Sequence, residues 1–300
     1  MIYTLTMNPS IDYVVHLDSF ISGITNRTTG EEYYVGGKGI NVSCILTELG
    51  IPNTVLGFIA GFTGDEIDKG LSQSGIRSDF IRLRDGISRI NIKIKAERES
   101  EINCQGPHIS DDEFDILLSK IDAIKDGDTI VLAGSIPKTV SQDAYERILK
   151  RLQGENVRIV VDATGKLLLD CLKYRPFLIK PNRQELCEIF DREISSDAEI
   201  EKCAEELLKL GARNVIVSLG GDGAILFAEN GKSYKTGVLR EKVLNTVGSG
   251  DSMVAGFIAG YEQKGDYGYA LRLGTACGNA TAFSRGLATK EKIFDVFSKL

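Results

Sequence analysis

The feature that most constrains the fold is the alternation of short apolar runs with amphipathic stretches. β-Branched residues dominate most of these runs, as in strands that are buried on both faces of a sheet. The runs span residues 54–60, 129–133, 158–162, 177–180 and 214–219. Stretches such as 141–152 and 199–210 carry apolar residues at helical spacing. This alternation predicts an α/β fold, most often doubly wound, with a mainly parallel sheet, helices on both sides and ligands at the strands' carboxyl ends.

Two regions, residues 12–35 and 89–105, interrupt the alternation and read as polar, β-rich segments. From Arg89 to Lys95, basic or polar residues alternate with isoleucine, which puts Arg89, Asn91, Lys93 and Lys95 on one face of a strand. That pattern predicts either a small sheet that presents this face to a ligand or an ordinary half-exposed strand pair. Because no linker or repeat divides the chain, we expect one domain over residues 1–300.

Composition narrows the class of function. The 42 acidic and 36 basic residues are mixed along the chain and give a net charge of -6. This balance argues against nucleic acid as a partner, yet a few local Lys and Arg residues can still bind an anionic small molecule. His16 and His108 are isolated, and no cysteine pair has zinc spacing. A histidine-based triad or metal site is therefore not expected.

The N-terminal residues and the hydropathy pattern indicate a cytoplasmic protein without a membrane partner. The opening segment lacks a basic region followed by an uninterrupted apolar one, because Asp12 falls inside it. No apolar run approaches the roughly 20 residues that span a bilayer. The six cysteines read as reduced thiols, and Cys104 lies next to the second irregular region.

The strongest local motif is Asn245-Thr246-Val247-Gly248-Ser249-Gly250-Asp251, which precedes an apolar stretch with helical spacing. Gly248 and Gly250 allow a tight turn, and the N–H groups of a helix N-terminus attract anions. Asp251 on the first turn is placed to accept a proton from an attacking hydroxyl. The alternative is an aspartate that only caps the helix or interacts with its dipole.

A second glycine motif, Gly36-Gly37-Lys38-Gly39-Ile40-Asn41, also precedes a helical pattern. Its glycines permit close approach of backbone to ligand, Lys38 supplies a charge, and Asn41 can donate and accept hydrogen bonds. It is not a phosphate-binding loop of the GxxxxGK[ST] type, which the chain lacks. The motif also fits a simple turn.

A third motif, Ser218-Leu219-Gly220-Gly221-Asp222-Gly223, ends a predicted buried strand. It suits either a cradle for nucleotide phosphates or a hairpin turn to the apolar run at 224–228.

A fourth motif, Lys180-Pro181-Asn182-Arg183-Gln184-Glu185, follows another predicted strand. Asn182 and Glu185 offer oxygen ligands that suit Mg²⁺. They also fit an N-cap with its reciprocal glutamate, and both interpretations can hold together.

These four motifs, in this order and spacing, resemble the ribokinase/PfkB family of carbohydrate kinases, and the similarity runs from Thr4 to about Gly286. The resemblance implies a ribokinase-like fold whose main α/β domain carries a small β-sheet lid, built here from about 10–35 and 88–106. It also implies ATP and Mg²⁺ as cofactors and a homodimer formed through the lid.

The resemblance assigns roles to individual residues. It implies that Asp251 is the general base and that Gly248, Ser249 and Gly250 offer N–H groups to the transition state. Glu185 with Asn182 would hold hydrated Mg²⁺. The implied sugar contacts are Asp12, Gly37, Lys38 and Asn41, with Arg89 at the sugar's phosphate and Arg27 and Lys93 as weaker candidates. The implied ATP contacts are Lys180, Ser218, Gly220, Gly221, Asp222, Gly223, Gly250 and Asn279.

Within the family the chain looks closest to the 1-phosphofructokinases, with tagatose-6-phosphate kinases nearby. Both groups share an opening like residues 6–12 and segments like 105–107 and 134–137, while 89–93 looks more like the fructose 1-phosphate enzymes. The resemblance therefore implies transfer of the ATP γ-phosphate to the C6 hydroxyl of fructose 1-phosphate. The alternatives are a tagatose-6-phosphate kinase and an inactive sensor that binds a sugar phosphate.

Overall fold

The computed structural model describes all 300 residues. The strands are β1 (Ile2–Thr6), β2 (Ser10–His16), β3 (Gly30–Gly36), β4 (Asn53–Ile59), β5 (Arg77–Arg82), β6 (Arg89–Lys95), β7 (Ser100–Ile102), β8 (Thr129–Ala133), β9 (Arg158–Asp162), β10 (Leu178–Ile179), β11 (Val215–Ser218), β12 (Ala224–Phe227) and β13 (Ser233–Thr236). The helices are α1 (Lys38–Glu48), α2 (Gly61–Gln73), α3 (Asp111–Ile121), α4 (Ala144–Arg151), α5 (Gly165–Leu172), α6 (Arg183–Phe190), α7 (Asp197–Leu210), α8 (Ser249–Lys264), α9 (Tyr267–Ala282) and α10 (Lys290–Lys299). Residues Gly220–Asp222 form a short 3₁₀ turn.

The main sheet has nine strands in the order β13-β12-β11-β10-β9-β8-β1-β4-β5. All pairs from β11 to β5 are parallel, while β12 and β13 add an antiparallel edge. The five predicted apolar runs are found as β4, β8, β9, β10 and β11. The prediction of a mainly parallel α/β sheet is confirmed.

Helices cover both faces of this sheet, as the doubly wound prediction requires. On one face α3 to α7 bury side chains such as Phe114, Tyr145 and Leu207 against the strands. On the other, α1, α8, α9 and α10 bury residues such as Phe257 and Leu273. No helix has both the length and the apolar character needed to cross a bilayer.

A small second sheet, with strand order β3-β2-β6-β7, stands beside the main one. Strands β2 and β6 pair in parallel, from Ser10 opposite Arg89 to His16 opposite Lys95, and the outer pairs are antiparallel. All four strands lie in the two irregular regions of the sequence or extend at most two residues beyond them. Ile11 anchors the sheet in a buried apolar cluster that includes Ile67 and Leu71 of α2.

The topology brings polar residues to one edge of the main sheet. Asp162 ends β9, Lys180 follows β10 and Ser218 ends β11, all at the carboxyl ends of neighbouring parallel strands. An isolated bridge between Asn182 and Ser218 continues this pairing beyond the strands. Ligands in open α/β sheets bind at this edge, so the functional site is expected here.

Candidate active site

Asp251 lies in the first turn of α8 and is only 6% exposed. Its Oδ2 atom accepts a hydrogen bond from Nδ2 of Asn41 at 2.8 Å. Burial, followed by the negative charge of Asp162, raises the pKa of Asp251 to about 6, against the opposing effects of Lys38, Asn41 and Lys180. A carboxylate with this pKa is mostly ionised at neutral pH and well matched to general-base chemistry.

The turn before α8 leaves backbone donors free. Gly248 has φ 79°, a conformation that favours glycine, and a Cβ there would lie 2.7 Å from the Leu287 side chain. The helix has no side-chain cap, and the N–H groups of Gly250 and Asp251 donate to no protein acceptor. The Ser249 N–H instead donates to the Thr246 carbonyl oxygen at 3.3 Å. Two free donors at the positive end of a helix are suited to bind an anion.

A charged cluster of four side chains surrounds this turn: Lys38, Asp162, Lys180 and Asp251. Nζ of Lys38 lies 3.2 Å from Oδ2 of Asp162, and Nζ of Lys180 lies 3.4 Å from Oδ1. Burial alone would raise the pKa of Asp162, but Lys180 and Lys38 outweigh it and hold that pKa below its ordinary value. Burial would lower the pKa of Lys38, but Asp162 and Asp251 outweigh it and raise that pKa.

Asp162 lies outside the four sequence motifs, although it is 4% exposed and central to this cluster. One sequence feature could have indicated it, because an aspartate that ends a buried parallel strand lies at the edge of the sheet where ligands bind. Its partners Lys38 and Lys180 come from other elements, α1 and the end of β10, and only the tertiary fold brings them together.

The glycine motif before α1 lies directly beside the cluster. Gly37 is the N-cap of α1 with φ 130°, and a Cβ there would lie 2.7 Å from the Thr6 side chain. No side chain caps this helix either. The turn therefore carries Lys38 to Asp162 and Asn41 to Asp251, which joins the two predicted glycine motifs in one site.

One face of the small sheet carries polar groups suited to a sugar phosphate. Asp12 accepts hydrogen bonds from Ser10 at 2.8 Å and from Asn91 at 2.9 Å. A Cβ on Gly36, before the glycine turn, would lie 2.8 Å from Cγ of Asp12. Arg89 is half-buried, donates through Nε to the Asn8 carbonyl oxygen at 3.0 Å, and pairs with no carboxylate. Its two Nη groups donate to no protein acceptor and so stay available for an anion.

The weaker phosphate candidates lie in different surroundings. Lys93 pairs with Glu101 on the neighbouring strand at 3.0 Å, and Lys95 pairs with Glu99 at 2.6 Å. Arg27 is exposed in the loop between β2 and β3. The outer half of β6 thus behaves as an ordinary ion-paired strand, whereas Arg89 and Asn91 at its start face Asp12.

A cleft of about 420 Å³ opens over the 3₁₀ turn. The motif at 218–223 connects the antiparallel strands β11 and β12, so the hairpin interpretation is confirmed, and the turn also lines the cleft. The cleft is lined by Arg183, Asp197, Leu219, Gly221, Asp222, Lys235, Gly237, Val238 and Arg240.

Asn279 lies near the end of α9, where the backbone of Leu244 and Asn245 donates to the Ala282 carbonyl oxygen. Its Nδ2 atom is buried and has no hydrogen-bond partner. Buried polar groups are normally satisfied, so this donor is an exception within the protein.

Asn182 and Glu185 form a reciprocal capping box at the start of α6. Oδ1 of Asn182 accepts from the Glu185 N–H, and Oε2 of Glu185 accepts from the Asn182 N–H, both at 2.8 Å. Oε1 of Glu185 receives no protein hydrogen bond. No group of three or more His, Cys, Asp or Glu residues is placed to hold a metal ion. One free carboxylate oxygen fits Mg²⁺ that keeps its waters and is shared with phosphates.

Comparisons with known proteins identify the family of this chain. The profile of the pfkB family carbohydrate kinases matches residues 3–293. A 1-phosphofructokinase of Bacillus subtilis is 44% identical over 97% of this chain and 95% of its own length. A D-tagatose-1-phosphate kinase of Bacillus licheniformis is 40% identical over 100% of this chain and 98% of its own.

Solved structures give the same result at the level of the fold. Phosphofructokinase-2 from Escherichia coli in complex with fructose-6-phosphate has a TM-score of 0.92 and 26% identity, over 100% of this chain and 98% of that one. Arabidopsis thaliana ribokinase, at 18% identity, has a TM-score of 0.81 over 99% and 98% of the two chains. The fold is ribokinase-like, and the chain belongs to the pfkB family of carbohydrate kinases.

Proposed function

We propose that this protein transfers the γ-phosphate of ATP to the C6 hydroxyl of fructose 1-phosphate, giving fructose 1,6-bisphosphate and ADP. The observation that carries the proposal is the placement of Asp251, a buried carboxylate with a raised pKa, beside the free N–H groups of Gly250 and Asp251. This pairs a proton acceptor with an anion site, as phosphoryl transfer requires.

In the proposed reaction Asp251 accepts the C6 hydroxyl proton while the sugar oxygen bonds to the γ-phosphorus. The bond between that phosphorus and the β,γ-bridging oxygen breaks, and ADP leaves with the bonding electrons. The free N–H groups at the start of α8, with Lys38 and Lys180 nearby, stabilise the charge on the transferred group. Gly248 and Gly250 set the turn that aims these donors.

The sugar phosphate binds between the small sheet and the glycine turn of α1. Asp12, Asn41 and the backbone at Gly37 contact sugar hydroxyls, and Lys38 approaches the acceptor side of the charged cluster. Arg89 binds the C1 phosphate, because its Nη groups offer a charged fork that makes no ion pair within the protein.

The nucleotide lies across the cleft above the 3₁₀ turn. Ser218, Gly220, Gly221, Asp222 and Gly223 line its ribose and phosphate groups, and Lys180 reaches the phosphates beside Gly250. The unpaired Nδ2 of Asn279 meets the base. Asn182 and Glu185 would hold Mg²⁺ through water, and the ion would neutralise phosphate charge there.

The small sheet serves as a lid that excludes water from this site, and it also forms a homodimer interface. A row of apolar side chains, opposite the Asp12 face, crosses its four strands in register: Tyr33, Tyr13, Ile92 and Ile102. Tyr33 and Ile102, at the two ends, are 52% and 51% exposed. Exposed apolar rows of this kind mark interaction surfaces, and a second copy of the chain is the partner. We place this metabolic enzyme in the cytoplasm.

A tagatose phosphate is the second candidate acceptor. The Bacillus licheniformis relative is named for D-tagatose 1-phosphate, which carries its phosphate at the same carbon as fructose 1-phosphate. If tagatose 6-phosphate were the acceptor, Arg89 would have to bind a phosphate on C6, at the other end of the sugar.

The test is ADP release with Mg-ATP and a panel of fructose 1-phosphate, tagatose 1-phosphate, tagatose 6-phosphate, fructose 6-phosphate and ribose. Fructose 1-phosphate should give the highest kcat/KM, and ³¹P NMR should show a bisphosphate product. A preference for either tagatose phosphate would overturn the assigned sugar and keep the chemistry. Binding of a sugar phosphate without turnover would instead indicate a sensor.

A further inference from the structure

Each carboxylate oxygen of Asp162 lies near a different lysine. Oδ2 lies 3.2 Å from Nζ of Lys38, and Oδ1 lies 3.4 Å from Nζ of Lys180. The carboxylate is almost fully buried, and the Gly134 N–H donates to the Asp162 carbonyl oxygen at 3.1 Å, which ties the backbone there to the loop after β8. One rigidly held carboxylate therefore fixes two ammonium groups at once.

These two lysines belong to opposite sides of the site. Lys38 starts α1, within the turn that also carries Gly37 and Asn41. Lys180 follows β10, and a Cβ on Gly250 would lie 3.1 Å from its Nζ, so its ammonium group rests against the start of α8. Asp162 thus lies between the acceptor side and the nucleotide side.

Holding two lysines at this place has an electrostatic cost that Asp162 offsets. The N-terminus of α8 is the positive end of a helix, without a capping side chain. Two ammonium groups beside it repel one another and the helix end, and the attraction of both to a carboxylate between them offsets that repulsion. Lysine side chains also have large rotamer entropy, so without a fixed partner they would spread toward solvent.

We propose that Asp162 is a positioning residue that holds the ammonium groups of Lys38 and Lys180 on the two sides of the phosphoryl-transfer path and balances their charge before substrates bind. This inference rests on the proposed kinase function. Asp162 itself exchanges neither a proton nor a phosphoryl group. Its effect on the reaction passes through the two lysines and through the electrostatic potential at Asp251.

The electrostatic potential at Asp251 can be measured through the pKa of Asp251. If Asp162 had only a structural role, its replacement would leave that pKa unchanged. The groups facing Asp251 are Asp162 from β9, Lys180 after β10, and Lys38 and Asn41 from α1. When Asp162 loses its charge, both lysines remain and favour the ionised form of Asp251. The pKa of Asp251 should then fall by about one unit or more, since an adjacent like charge typically shifts a carboxyl by that amount.

The experiment compares Asp162→Asn with the wild-type enzyme and with Asp170→Asn. Asp170 makes an ion pair with Lys166 on the exposed face of α5 and so controls for an acid-to-amide change far from the site. Asp162→Asn should lower kcat with fructose 1-phosphate roughly 10²-fold and raise the KM of both substrates. Asp170→Asn should leave all three constants within about twofold, as for most surface changes.

The titration of Asp251 is followed in the substrate-free enzyme by its ¹³C carboxyl resonance, assigned with Asp251→Asn. In Asp162→Asn its midpoint should move to lower pH. Kinetic constants within about threefold of wild type would overturn the proposal. A loss of activity with an unmoved Asp251 midpoint would assign Asp162 a structural role only, and would also overturn it.

Asp162→Glu keeps the proposal testable if the amide variant does not fold. This variant retains the charge, so the titration midpoint of Asp251 should stay near that of the wild type. It moves the carboxylate by one methylene group, so kcat should fall about tenfold, because misplaced electrostatic groups lose most of their effect. Full activity of this variant would contradict a positioning role. If the wild type phosphorylates no sugar, the proposed function fails, whereas the titration in the free enzyme still decides whether Asp162 sets the potential at Asp251.

Discussion

The side-chain amide of Asn41 donates to Oδ2 of Asp251 at 2.8 Å, across 210 residues of sequence. The bond joins the first turn of α1 to the first turn of α8 and orients the Asp251 carboxylate. Oδ1 of Asp251 accepts no protein hydrogen bond, so in the proposed reaction this oxygen is free to accept the proton of the acceptor hydroxyl.

Asp251→Asn should lower kcat roughly 10³-fold or more, because base and positioning losses combine. Asparagine is isosteric and keeps the packing of the buried site, so the affinities for ATP and for fructose 1-phosphate should change little. Steady-state kinetics measures the fall in kcat, and isothermal titration calorimetry measures the two affinities. A variant that keeps most of its activity would show that another group is the base.

The same variant should be more stable than the wild type at high pH. The folded-state pKa of Asp251 is raised from 3.8 to about 6. The folded state therefore favours the protonated acid, and that preference is lost as pH rises through the folded pKa. Ionised Asp251 above about pH 7 should cost up to roughly 3 kcal/mol, which the neutral amide avoids.

Urea unfolding of both proteins across pH tests this effect. The advantage of Asp251→Asn should be largest near about pH 8, shrink below about pH 6 and disappear toward about pH 3, where the aspartate is mostly neutral in both states. An advantage that does not depend on pH would rule out the buried charge as its cause.

Arg89→Ala should raise the KM for the sugar phosphate roughly tenfold to a hundredfold while kcat changes little, since it removes a charged fork from the substrate's non-reacting end. Lys93→Ala is the matched control, because Lys93 is on the same strand but pairs with Glu101. Equal effects of the two changes would mean that the phosphate does not reach Arg89.

Glu185→Gln should raise the Mg²⁺ concentration for half-maximal rate about tenfold. The amide oxygen of glutamine can still accept from the Asn182 N–H, so the capping box survives and thermal stability should hold. Glu199→Gln is the control, because Glu199 makes the same reciprocal bonds with Ser196 at the start of α7. A Mg²⁺ requirement that stays unchanged would exclude Glu185 as a ligand.

Ile102→Glu should dissociate the proposed homodimer, because a charge would interrupt the apolar row of the small sheet. Analytical ultracentrifugation measures the change. Leu210→Glu, at a residue of similar exposure at the end of α7, should leave the assembly intact. If neither variant nor the wild type forms a dimer at micromolar concentration, the interface proposal is wrong.

The sequence predicts strands best where apolar runs are short and β-branched, as in β8 and β9, whose ends match the prediction. Local pattern also locates the two glycine turns, because the residues that shape each turn are adjacent in sequence. Contacts between residues on different elements cannot be predicted from local sequence in this way. Nothing local to Lys93 indicates Glu101 opposite it, and nothing local to Lys38 indicates Asp162.

The parallel pairing of β2 with β6 also limits how the specificity of this enzyme can be redesigned. Met7, Asn8 and Pro9 alone separate β1 from β2, while β6 belongs to a different connection of the main sheet. Asp12 and Asn91, which hydrogen-bond across that pair, are thus encoded in two distant segments. A chimera that exchanged only one segment would place one side of this side-chain pair opposite a residue from another protein, so both segments should be exchanged together.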